Sequence, residues 1–149
     1  MTRVLATGTF DLLHPGHLFY LEQSKALGDE LLVIVARDAN VQHKPSPIIP
    51  QEQRLLMVST LKMVDRAILG DETDIFRPIE DLKPDVITLG YDQHFDVVLL
   101  KEELATRGID AQVVRLEGHD PCPLCSSRMI VAKALEKRCP GGNRPDQKG

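Results

Sequence analysis

Short apolar runs rich in β-branched residues alternate along the chain with longer stretches whose apolar residues recur at helical spacing. Residues 4–7 predict a first strand, ended by Gly8. Residues 16–27 predict a helix with Leu18, Leu21 and Leu27 near one face, closed by Gly28, where a left-handed cap costs little. Residues 31–36 are uninterruptedly apolar, the pattern of a strand covered on both faces. Pro45, Pro47 and Pro50 make residues 43–49 a loop, and Pro50 also suits the first turn of a helix over 51–61. Strands are predicted at 66–69, 85–89 and 111–116, and helices near 75–82, at 95–107 (ended by Gly108) and at 127–137. Strands alternating with helices predict one α/β domain: a Rossmann-like, mostly parallel sheet with helices on both faces. The domain is expected over 1–138, followed at 139–149 by a polar, Gly/Pro-rich flexible tail.

With 149 residues and 42 % hydrophobic content, the chain can bury a core of ordinary size. Its formal charge of -4 argues against a general nucleic-acid binder, which carries a basic face. It does not exclude small anions, because a local cluster of His, Arg and backbone N–H groups can override the total. The apolar run after Met1-Thr2-Arg3 is too short for a signal peptide or a membrane span. The expected location is the cytoplasm, with the three cysteines as thiols.

Chemistry concentrates between the first strand and the first helix, in Gly8-Thr9-Phe10-Asp11-Leu12-Leu13-His14-Pro15-Gly16-His17. In a parallel α/β sheet this loop lies beyond the carboxyl ends of the strands, where ligands bind. Gly8 permits a tight exit from the strand, and Gly16 lets another group approach the backbone. The helix start offers N–H groups and a positive dipole end to a phosphate. His14 and His17, three apart, can face one anion, and imidazoles are directional donors that can also take a proton. Spacing alone fits two surface histidines equally well; the position between flanking glycines favours the functional reading.

The pairing of Gly8-Thr9-Phe10-Asp11 with His14-Pro15-Gly16-His17 resembles the HxGH, cytidylyltransferase-like nucleotidyltransferases. Within that superfamily, Leu89-Gly90-Tyr91-Asp92-Gln93 and Cys122-Pro123-Leu124-Cys125-Ser126-Ser127 resemble the archaeal FAD synthetase group. The resemblance covers residues 2 to about 138 and implies transfer of AMP from ATP to FMN, giving FAD and pyrophosphate. It also implies a nucleotide site at Thr9, Phe10, His14, Pro15, Gly16, His17, Asp92, Ser126 and Ser127, with His14 and His17 catalytic. Lys44 and Arg54 would hold the acceptor phosphate. A divalent cation, Mg²⁺, would bind with ATP, and relatives commonly pair as homodimers. Asp120 stands where the cytidylyltransferases carry an arginine, which argues against that assignment; Arg115 or Arg128 could replace the missing cation.

Cys122 and Cys125 are expected as functional thiols. A zinc site from His119, Cys122, Cys125 and Cys139 is the weaker reading, since a single Cys-x-x-Cys is a poor metal signal, and no metal ligands are assigned. Other adenylyl- or cytidylyltransferases would share the first loop and differ in their acceptor. A nucleotide-binding module without activity would release no pyrophosphate.

Overall fold

A computed structural model of the chain describes residues 1–41, 46–90, 93, 96–116 and 122–139. Among these residues are five strands: β1 (Arg3–Gly8), β2 (Glu30–Val35), β3 (Arg66–Leu69), β4 (Val86–Leu89) and β5 (Gln112–Arg115). They alternate with α1 (Pro15–Lys25), α2 (Gln51–Ser59), α3 (Arg77–Leu82), α4 (Val97–Thr106) and α5 (Ser127–Arg138). All four strand pairings are parallel, in the order β3-β2-β1-β4-β5. The order reverses direction around β1, so the loop leaving β1 sits at the crevice such sheets use for ligands.

The period-two alternation of a strand divides the core into two layers. Val4, Ala6, Leu31, Val33 and Val35 face one side, where Leu21 of α1 and Val58 of α2 cover them. Leu5, Leu32, Ile34, Ile87 and Leu89 face the other, against Ile79 and Leu82 of α3 and Leu100 and Leu104 of α4. Helices on both faces explain why residues 31–36 show no polar alternation: Leu31 to Val35 are all buried. α5 has no buried residue and stands outside both layers.

Two glycines end or flank helices for different reasons. Gly108 after α4 has φ +71, the left-handed conformation expected of a helix-terminating glycine. Gly28 does not adopt it, which corrects the expectation of a left-handed cap after α1. A Cβ there would lie 2.8 Å from the Thr2 carbonyl oxygen and 2.7 Å from Val4 Cγ2, so Gly28 is required by close packing.

Three carboxylates are engaged by neighbouring amides and cations: Asp65 before β3, and Asp71 and Asp74 after it. The Lys25 ammonium and the Leu31 amide lower the Asp65 pKa. The amides of Asp74 and Thr73 lower that of Asp71, and Arg107 with the Phe76 amide lowers that of Asp74. A carboxylate with a depressed folded-state pKa contributes stability that is present above its unfolded pKa and lost as pH falls through the folded one. The protein should therefore lose stability as pH drops below about 4. Arg107→Met, which also removes the stacking of this guanidinium on Phe76 at 5.0 Å, should lower the thermal midpoint at pH 7 and flatten its dependence on acid. Thermal unfolding across pH 3–7 checks this, and an unchanged acid limb would contradict it.

Candidate active site

The β1–α1 loop is organised around three adjoining rings, two of them stacked. The buried Phe10 ring lies 5.3 Å from the His17 ring, and His17 stacks on His14 with centroids 3.8 Å apart and planes inclined by 28°. A glycine stands at each end of this column. A Cβ on Gly8 would come within 2.8 Å of the Phe10 ring, and one on Gly16 within 2.8 Å of His14 Cε1 and 2.9 Å of its Nδ1. The close approach foreseen at Gly16 is thus made by the His14 ring itself, and by the Cys125 carbonyl oxygen at 3.2 Å from the same point.

His14 is the N-cap of α1. Its Nδ1 accepts from the Gly16 amide at 3.1 Å, and its carbonyl accepts from the His17 amide at 3.0 Å. An accepting Nδ1 places the proton of the neutral imidazole on Nε2. The cap also alters the expected role of the helix start. Pro15 has no N–H, and the next two amides are engaged by His14, so α1 offers its imidazoles and dipole rather than open backbone donors.

The second helix start at the site belongs to α5. Ser126 caps it, accepting from the Met129 amide at 3.1 Å, and Ser127 Oγ accepts from the Leu12 amide at 3.4 Å. Both hydroxyls accept through oxygen and retain an O–H to donate. The Leu12–Ser127 bond and the Gly16–Cys125 approach bring the N-termini of α1 and α5 together, so two helix dipoles present their positive ends to one place.

Thr9 meets Arg54 through its backbone carbonyl. Phe10 buries its ring and takes φ 55, a strained conformation for a residue with a side chain. Arg54 does not stand open to an acceptor phosphate, which corrects that expectation. Its side chain has no exposed surface and donates to the carbonyls of Thr9 (2.7 Å), Ala36 (2.8 Å) and Ile49 (2.9 Å) and to Asp38 Oδ1 (2.5 Å). The helix pattern carried this signal: Arg54 precedes buried Val58 by one turn and so shares its inward face.

Cys122 and Cys125, expected as functional thiols, stand side by side at the entry to α5, their Cα atoms 5.5 Å apart across Pro123 and Leu124. Lys44 and Asp92 lie outside the described residues, as does all of the expected tail except Cys139.

Two contributors, Asp11 and Gln93, carried no role in the sequence reading. Asp11 accepts from the amides of Ile48 (3.0 Å) and Ile49 (2.9 Å). Gln93 accepts from the Gly90 amide at 2.7 Å and donates to the Thr7 carbonyl at 2.9 Å, joining the ends of β4 and β1. Arg115 donates to the carbonyls of Gly90 and Gln93, whereas Arg128 is exposed in the first turn of α5.

A loop–helix anion site of this form at the head of a parallel sheet coincides with a match to the Cytidylyltransferase-like family over residues 5–133. The chain belongs to that family. It is 65 % identical over 139 residues to a FAD synthase of Methanothrix thermoacetophila, covering 93 % of this chain and 97 % of that one. It is 64 % identical over 140 residues to a FAD synthase of Methanosphaerula palustris, covering 94 % and 92 %. A crystal structure described as the lipopolysaccharide core biosynthesis protein from Thermoplasma volcanium superposes with a TM-score of 0.78 at 50 % identity, covering 80 % of this chain and 99 % of that one.

Because the Gly16 position touches both His14 and the Cys125 backbone, Gly16→Ala should push the His14 ring off the column while the core stays intact. Turnover should fall on the order of 10²-fold, the cost of a misplacement of about 1 Å in a catalytic group. Steady-state kinetics with a thermal melt checks this; full turnover in a folded variant would show that the ring tolerates displacement.

Proposed function

We propose that this chain is an FMN adenylyltransferase, transferring AMP from ATP to FMN to give FAD and pyrophosphate. The observation that carries the transfer chemistry is the stacked His14–His17 pair beside the converging N-termini of α1 and α5. The identities of 58–65 % to FAD synthases of eight archaea support the choice of substrates.

In this reading the β- and γ-phosphates lie against the start of α5, where Ser126 and Ser127 donate their hydroxyl protons. His14 Nε2–H and His17 meet the α-phosphoryl group, and Arg128 supplies the cation that Asp120 cannot. A phosphate oxygen of FMN attacks the α-phosphorus in line. The bond to the bridging oxygen breaks on the opposite side, and pyrophosphate leaves with the electron pair. The protein contributes position and charge stabilisation and forms no covalent bond to the substrate. The two imidazoles act where negative charge builds in the transition state, which is why preorganised donors there outweigh equally strong contacts elsewhere.

Both carboxylate oxygens of Asp11 accept backbone amides, so the acid beside the histidines is already engaged. That suits a divalent cation that ATP itself would bring, Mg²⁺, which would supply charge neutralisation for the leaving group. Lys44 is the residue that would approach the acceptor phosphate from the Pro-rich loop. Asp92 would approach the base or ribose.

His17→Ala should lower kcat by about 10²–10³ while changing ATP affinity only a fewfold. Single-turnover kinetics alongside calorimetric binding separates the two, and turnover near wild type would remove His17 from the catalytic role. Pyrophosphate release should be fastest with ATP and FMN. A higher kcat/KM for CTP with glycerol 3-phosphate would overturn the substrates and leave nucleotidyl transfer standing. Riboflavin should not be phosphorylated, since the sequence has no Gly-x-x-x-x-Gly-Lys-Ser/Thr loop.

A further inference from the structure

We infer that Asp11 and Arg54 are positioning residues that fasten the nucleotide loop after β1 to the Pro-rich loop after β2, so that the two substrates are presented to each other at a fixed separation. This rests on the proposed reading, in which the first loop takes ATP and the second approaches the acceptor.

Two independent sets of bonds cross between the loops. From the first loop, the Asp11 carboxylate accepts the consecutive amides of Ile48 and Ile49, one on each oxygen. From below, the Arg54 guanidinium donates to Thr9 in the first loop and to Ile49 in the second, and ties both to the end of β2 through Ala36 and Asp38. Ile49 is therefore held at both its amide and its carbonyl. Between Thr9 and Asp11 lies Phe10 with φ 55, a conformation that persists only where its surroundings over-determine it. The two clamped neighbours supply that determination.

The residue types fit the task. A carboxylate has two equivalent acceptor oxygens for two successive amides, whereas an asparagine has one. The guanidinium is a planar fork whose donors reach three elements at once, which a lysine ammonium on a flexible stem cannot reproduce. Neither side chain is needed to hold the sheet together, which the strand ladders and the two apolar layers already do. What they fix is the relation between two loops that leave neighbouring strands, β1 and β2, at the same edge. In-line transfer between two bound anions is sensitive to that relation, because an error of about 1 Å in approach can cost 10²-fold.

The test uses the full chain as wild type, Asp11→Asn, Arg54→Lys and the double variant. Amide hydrogen exchange at Ile48 and Ile49 reads the fastening without reference to activity. Calorimetry with a non-hydrolysable ATP analogue reads nucleotide binding, and FAD formation reads kcat and KM. Asp11→Asn should speed exchange at both amides and lower kcat on the order of 10²-fold, with analogue affinity within a fewfold of wild type. Arg54→Lys should do the same, and the double variant should be little worse than the poorer single one, because both act on one fastening. If Arg54→Lys does not fold, Asp11→Asn carries the test alone. Unchanged exchange at Ile48 and Ile49 in Asp11→Asn overturns the inference, as does freed exchange with kcat near wild type. A loss confined to analogue binding also overturns it. A wild-type chain that forms no FAD rejects the function reading instead, and the exchange measurement still decides whether the fastening exists.

Discussion

The ring column Phe10–His17–His14 is the constraint on which the site depends. Its length is set by two missing side chains: the Phe10 ring occupies the space of a Cβ at Gly8, and the His14 ring occupies that of a Cβ at Gly16. A column bounded at both ends cannot slide, so the imidazoles have one arrangement rather than many rotamers. The left-handed turn at Phe10 accompanies a ring that lies over Gly8 and against His17. The loop motif reads in three dimensions as spacers and rings: glycines where rings must pass, and Pro15 where the helix needs no donor.

A buried charge underlies this column. Arg54 is fully covered in the layer beneath the loop, yet its ion-pair partner Asp38 stays half exposed, and its other bonds go to main-chain carbonyls. A buried guanidinium is unfavourable unless its donors are met, and here the acceptors lie on three segments that apolar packing cannot align. An aliphatic residue would fill the space and leave the carbonyls of Thr9, Ala36 and Ile49 without a donor from beneath. The polar network Tyr20–Thr88–Ser24 plays a related part deeper in, where Tyr20 Oη donates to the Thr88 carbonyl at 2.9 Å and Ser24 and Thr88 hydroxyls bond at 2.8 Å. These contacts fix α1 against β1 and β4, which in turn aims His14 and His17.

The fold was legible because its signals are local and repeated. Unbroken apolar residues at 31–36 called for a doubly covered strand, and the five strands and five α-helices described all occur within about two residues of the expected bounds, while the short 3-10 helix Asp38–Asn40 was not foreseen. The site was legible where the motif lies on one continuous segment, as with His14, Gly16 and His17. It was illegible where a residue acts across the fold. Arg54 reads as a surface cation until its inward helix face is taken into account. Asp11 reads as a loop acid until the Pro-rich loop is placed against it. Gly28 illustrates a third limit: sequence shows that a glycine ends a helix region but not whether backbone angle or crowding requires it, and here crowding by Thr2 and Val4 decides.

The net charge of -4 can then be reconciled with a site for two anions. Binding polyphosphate with a cluster of lysines would make the surface basic and leave flexible ammonium groups to be ordered by the ligand. In the proposed reading the chain instead turns dipoles toward one point, from α1 and α5, and adds the imidazoles of His14 and His17 as directional donors. Arg54 is committed to the backbone, and Arg115 holds Gly90 and Gln93 in place, so their charge goes into shaping loops. A preorganised set of mostly neutral donors costs little reorganisation when charge moves from the α-phosphorus to the leaving pyrophosphate. In that reading Arg54 and Arg115 serve the chemistry indirectly, by keeping those donors where the moving charge will pass.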